Sequence, residues 1–140
     1  NDRPDFEEAV EELCEDCEVL YNNAGGDAQK QQSQAEAALT QGAEVLVVDP
    51  MDSKSAAAIA EKAKAQNVPV VSYDRLIENG PIDAYISFDN EQVGMLQGQS
   101  LLQALSGKTN PSIVMINGSP TEATASWYAT GTRTSSGWER

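Results

Sequence analysis

The chain has 140 residues, one domain's worth of sequence, and nine Lys and Arg against 22 Asp and Glu leave it a net charge of −13. So acidic a surface repels phosphate backbones, which argues against a nucleic-acid partner. It contains no His, which excludes Ser-His-Asp and Cys-His catalysis and most mixed-ligand zinc sites, and no cofactor is implied.

Phe6, Ala9, Val10 and Leu13 recur at the spacing of one helix face, with Pro4 setting the first turn and Glu7, Glu8 and Glu11 near the positive end of the dipole. Residues 18–21 (Glu-Val-Leu-Tyr) read as a strand that ends in the turn-rich run at 22–26. Asp27 is a candidate N-cap for a second helix through about Thr40, which Gly42 stops. Val45-Leu46-Val47-Val48 is a continuous apolar, largely β-branched run, as a buried parallel strand requires. Pro50 ends it, and Ala57, Ile59, Ala60 and Ala63 mark a third helix over residues 53–66. A strand at 68–73, a loop at 74–81 and a strand at 84–88 follow. A fourth helix at 90–105 and a strand at 112–116 complete the series. Strands alternating with helices predict right-handed βαβ units: an α/β fold with a parallel sheet and helices on both faces. No strand precedes the first helix, although the alternation asks for one, and residues 121–140 are rich in Ser, Thr, Gly and Ala without an apolar period. The chain therefore reads as a fragment with an irregular tail at 125–140.

In open parallel sheets ligands bind beyond the carboxyl ends of the strands. Those positions hold Asn22-Asn23, Asp49-Pro50-Met51-Asp52, Tyr73-Asp74-Arg75, Phe88-Asp89-Asn90 and Asn117-Gly118-Ser119-Pro120. Sugar hydroxyls both donate and accept, so carboxylates, amides and a guanidinium fork in fixed positions suit them. Helix capping accounts for Asp and Asn at any one of these places. It does not account for Asp74-Arg75, which lies between two strands and is the most informative pair.

Other signals are weaker. Gly25-Gly26-Asp27 lacks the Lys and the full glycine spacing of a phosphate loop. Asp49 mimics the phosphoacceptor of response-regulator receivers, but the acidic pair after a first strand and the Lys after a fourth are missing. Trp127, Tyr128 and Trp138 could stack on a sugar or simply be exposed, and the acidic residues within 5–18 read as a solvated helix face. Cys14-x-x-Cys17 has no second pair and no His for zinc, and the surrounding acids and the helix C-terminus disfavour a reactive thiolate.

The runs Val68 to Ile77 (VPVVSYDRLI) and Asp83 to Asn90 (DAYISFDN), with Val93-Gly94 and then Asn117-Gly118-Ser119-Pro120, resemble the periplasmic sugar-binding proteins of ABC importers, and within them the D-xylose-binding group. The resemblance spans residues 1 to about 122 and stops beyond Ala125, where the family continues with an amphipathic helix. It implies a two-lobed receptor, with 1–90 as the first lobe lacking its opening strand and 91–124 as the start of the second. In the family the Asp-Arg pair hydrogen-bonds sugar hydroxyls, which carries over to Asp74 and Arg75. Asp89 and Asn90 match the residues that open the crossover, Asp89 as a ligand contact and Asn90 mainly as a helix cap. Glu122 stands where the family's polar run faces the sugar.

The function this implies is an extracytoplasmic solute-binding component, a monomer and not an enzyme, that closes on a xylose-like aldose and presents it to the permease. A disulfide between Cys14 and Cys17 suits an exported protein, two separate thiols being the alternative. The competing reading is the effector-binding domain of a lactose-repressor-type regulator, which shares the fold and similar Asp-Arg and Asp-Asn motifs.

Overall fold

A computed structural model describes residues 2–136, with the elements α1 (Asp2–Leu13), α2 (Ala28–Thr40), β1 (Leu46–Val48), α3 (Ala57–Ala65), β2 (Val70–Tyr73), β3 (Ala84–Ile86), α4 (Asn90–Ala104) and α5 (Ala123–Ser136). The strands form a parallel three-stranded sheet in the order β1-β2-β3. In register, Leu46 lies beside Val70 and Val48 beside Ser72, so one sheet face carries Leu46, Val48, Val70 and Ser72. Leu39 of α2 and Ile59, Ala60 and Ala63 of α3 bury that face. The run at 45–48 is apolar throughout, yet only alternate residues are buried, and Val47 on the opposite face is 44% exposed.

Local chemistry sets the ends of these elements. The Asp27 carboxylate accepts from Lys30 N–H at 3.0 Å, which caps α2, and Asp89 accepts from Gln92 N–H at 2.9 Å, which caps α4. Asn67 turns the chain from α3 into β2 with φ of 57°, a left-handed position that Asn tolerates better than most residues.

Two expected strands are not formed. Residues 18–21 and 112–116 have the composition of strands but no ladder partner among the described residues, and Val114 and Ile116 are 85% and 92% exposed. Propensity alone does not make a strand, because its N–H and C=O groups need a neighbouring strand. The sulfurs of Cys14 and Cys17 are joined just beyond α1.

The irregular tail expected at 125–140 is likewise corrected: its described part is the helix α5, while 137–140 lie outside the described residues. An apolar stripe does not hold this helix. Thr130, Thr132 and Thr134 return their hydroxyls to the carbonyls four residues earlier, and Thr132 Oγ1 also donates to Gly94 O at 3.1 Å. Gly94 and Gly131 let α4 and α5 touch backbone to backbone. A Cβ on Gly131 would collide with Glu91 O and lie 2.8 Å from Met95 N, and one on Gly94 would collide with Tyr128 O. Alanine at Gly131 should therefore destabilise the protein by about 1–3 kcal/mol through overpacking, against the roughly 1 kcal/mol that helix propensity returns. A urea midpoint equal to or above that of the parent would contradict this packing.

Candidate functional site

Parallel pairing of β1 with β2 brings their carboxyl ends side by side, so Asp49 and the Asp74-Arg75 pair leave the sheet together. The turn after β2 is tightly specified. Asp74 adopts φ of 58°, its N–H donates to Ile86 O at 2.9 Å, and Tyr85 Oη donates to its carbonyl at 3.1 Å. Beneath it the buried Ser72 hydroxyl donates to Arg75 O at 2.7 Å and accepts from Ile77 N–H at 2.9 Å. Both of its bonds lie in a solvent-free setting where leaving them unmade would be costly. The Asp49 end is fixed by one amide: Gln31 donates to Asp49 O at 2.7 Å and accepts from Met51 N–H at 3.0 Å.

From this frame the Arg75 guanidinium reaches two carboxylates. Nη1 lies 3.3 Å from Asp49 Oδ1 and 3.5 Å from Pro50 O, and Nε lies 3.4 Å from Glu122 Oε2. Its side chain is 22% exposed, Glu122's is 25% and Asp49's is 43%. Glu122 arrives from the segment that leads into α5, far away in sequence. Tyr73 Oη donates to Asp2 Oδ2 at 3.2 Å, which adds a further carboxylate beside the strand ends.

One cation among so many acids leaves the cluster electrostatically unbalanced. The Asp49 carboxyl is raised to about 6, first by burial and then by the charges of Asp74, Glu122 and Asp2, with Arg75 pulling the other way. Arg75 thus does not neutralise the cluster.

The expected site residues divide into two groups. Asp74, Arg75 and Glu122 come together at the β1 and β2 ends. Asp89 and Asn90 lie at the start of α4, and the capping role expected of Asn90 falls to Asp89. The exposed Asp89 is the helix cap, whereas Asn90 is 3% exposed, donates to Ser87 Oγ at 3.1 Å and leaves Oδ1 without a partner. Trp127 packs on Tyr85 with ring centroids 6.4 Å apart. Trp138 lies outside the described residues. Asp49, noted among the strand-end residues but not among the selected ones, belongs to the cluster, and its signal was the parallel register of β1 with β2.

The raised Asp49 carboxyl gives a pH prediction. Between about 4 and 6 the folded protein holds the Asp49 proton more tightly than the unfolded chain, whose carboxyl sits near 3.8. The contribution of Asp49 to stability is therefore most favourable below about 4 and is lost as pH rises through about 6. Asp49→Asn should match the parent near pH 4 and become the more stable of the two above pH 6, modestly, given its exposure. Paired thermal melts across this range check the sign, and a difference that shrinks with rising pH would refute it.

Residues 1–134 match the periplasmic binding protein domain, which extends past Ala125, where the sequence resemblance was expected to stop. The chain is 33% identical to the D-xylose-binding periplasmic protein of Escherichia coli K12, over 93% of this chain and 38% of that protein. The crystal structure of a carbohydrate transporter solute-binding protein from Chloroflexus aurantiacus in complex with D-glucose superposes with a TM-score of 0.87 and 33% identity, over 96% of this chain and 39% of the other. An ABC transporter solute-binding protein from Clostridium phytofermentans with bound β-D-glucose gives a TM-score of 0.88 at 28% identity, over 96% and 42%. This chain thus spans less than half the length of these relatives. With a parallel α/β sheet, a polar cluster at its strand ends and a family match along almost its whole length, the chain belongs to the periplasmic binding protein domain family.

Proposed function

We propose that the chain supplies one wall of a monosaccharide site in the extracytoplasmic solute-binding component of a sugar ABC importer, with an aldose such as xylose as ligand. The observation that carries this reading is Arg75, seated at the carboxyl end of β2 between Asp49 and Glu122. A guanidinium has five N–H donors in a fixed fork. Nε and Nη1 meet the two carboxylates, which leaves Nη2 as the group to donate to a ligand oxygen. A sugar hydroxyl that accepts from Nη2 donates in turn to a carboxylate of Asp74 or Asp49, a complementary pairing that a purely acidic or purely basic site lacks. Glu122 supplies a second acceptor from the segment before α5.

We read the cluster as one that binds without bond chemistry. The relatives named above are a xylose-binding periplasmic protein and transporter components holding glucose, which supports the ligand class and an extracytoplasmic location. The Cys14–Cys17 bond accords with an oxidising compartment. Sugar binding stabilises the form that the membrane permease recognises.

Titration calorimetry of the complete gene product against D-xylose, D-ribose, L-arabinose, D-glucose and D-galactose tests the reading. Binding of one sugar at on the order of micromolar Kd or tighter is expected. Arg75→Ala should weaken it by about 2–4 kcal/mol, because the ligand and two carboxylates lose a buried charged partner. A folded protein that gives no heat with any of these sugars, or an Arg75→Ala loss below roughly threefold, would overturn the assignment.

A further inference from the structure

Ser53 lies in the turn between β1 and α3 and is 2% exposed. Buried polar groups are costly unless bonded, and three of the polar atoms of Ser53 are bonded to distant segments. Its N–H donates to Thr121 O at 3.1 Å, and its carbonyl accepts from Glu78 N–H at 2.7 Å. Its Oγ accepts from Ala123 N–H at 3.1 Å. Thr121 and Ala123 flank Glu122, whose carboxylate meets Arg75, and Glu78 lies three residues beyond Arg75 in the loop between β2 and β3. One residue therefore grips the backbone on both sides of the Arg75–Glu122 contact. Helix capping does not explain it. The turn's capping acceptor is Asp52, which takes Lys54 N–H and Ser55 N–H, and α3 begins only at Ala57.

We propose that Ser53 is the positioning residue of this site: by holding the chain before and after Glu122 it sets that carboxylate against Arg75, and with it the direction of the guanidinium. Its consequence for ligand affinity rests on the sugar-binding reading above. Its consequence for the carboxylates does not, and is measured without ligand.

The measurement is the titration midpoint of Asp49, followed by carboxyl-detected NMR on the full chain. Asp49 is faced by Arg75, Asp74, Glu122 and Asp2, so withdrawal of Glu122 removes a repulsion and frees Arg75 to pair with Asp49, both of which lower the midpoint. Ser53→Ala should lower it in the same direction as Glu122→Gln, and should add nothing further in the Glu122→Gln background. Ser53→Thr keeps the hydroxyl and should restore the parent midpoint. Ala123→Pro cuts the same hydrogen bond from the donor side at the first position of α5, where proline is tolerated, and carries the test if Ser53→Ala does not fold. In the complete gene product, Ser53→Ala should also weaken the best-binding sugar roughly tenfold, with recovery in Ser53→Thr. A Ser53→Ala midpoint equal to the parent's, or a shift of the same size with and without Glu122, would overturn the positioning role. A complete gene product that binds no sugar would overturn the sugar reading alone, and the Asp49 midpoint would still decide the role of Ser53.

Discussion

Arg75 is the point on which the described site depends, because one guanidinium joins three separate stretches of chain. It is carried by the turn after β2, it meets Asp49 from the end of β1, and it meets Glu122 from the segment before α5. The attraction is shared among more carboxylates than one cation can satisfy, and Asp49, raised first by burial and then by the neighbouring acids, stays above the ordinary carboxylate range even with Arg75 beside it. Exposed ion pairs add little to stability. This cluster is half-buried at the sheet's edge and overloaded with negative charge, so it adds little net stability. The core beneath it, Leu46, Val48, Val70, Ile59 and Ala60, holds the strand ends still.

How much was legible in the sequence follows from which contacts are local. The strands β1, β2 and β3 and the helices α2, α3 and α4 follow from apolar runs, periodicity and caps, because Asp27 and Asp89 need only an N–H three residues away. Residues 18–21 and 112–116 read as strands for the same local reasons and are not, since a strand is completed by its neighbour. The helix α5 has the opposite difficulty. It is held by glycine contacts with α4 and by threonine hydroxyls returned to its own backbone, neither of which produces the apolar stripe that marks a helix.

The site shows the same division. Asp74 and Arg75 were legible because adjacent charges between two strands have no capping role to play. That Asp49 belongs with them depends on the register that sets Val48 beside Ser72, and parallel neighbours are joined through a crossover that leaves no mark in local spacing. Ser53 was hidden for a different reason. A serine at the start of an expected helix carries no mark of a long-range contact, and here Asp52 takes the N–H groups of the turn while Ser53 turns to residues 121–123.

The α4–α5 pair bears on the site through this last connection. Glu122 immediately precedes α5, and α5 is fastened to α4 by backbones that only glycine allows so close. On the sheet side the same segment is fastened through Ser53, and Trp127 rests on Tyr85, whose hydroxyl holds the Asp74 carbonyl. The position of the Glu122 carboxylate is thus fixed by packing on one side and by hydrogen bonds on the other, while its charge is opposed by a single arginine. Residues held in place from both sides in this way are what a polar site asks of its supporting frame.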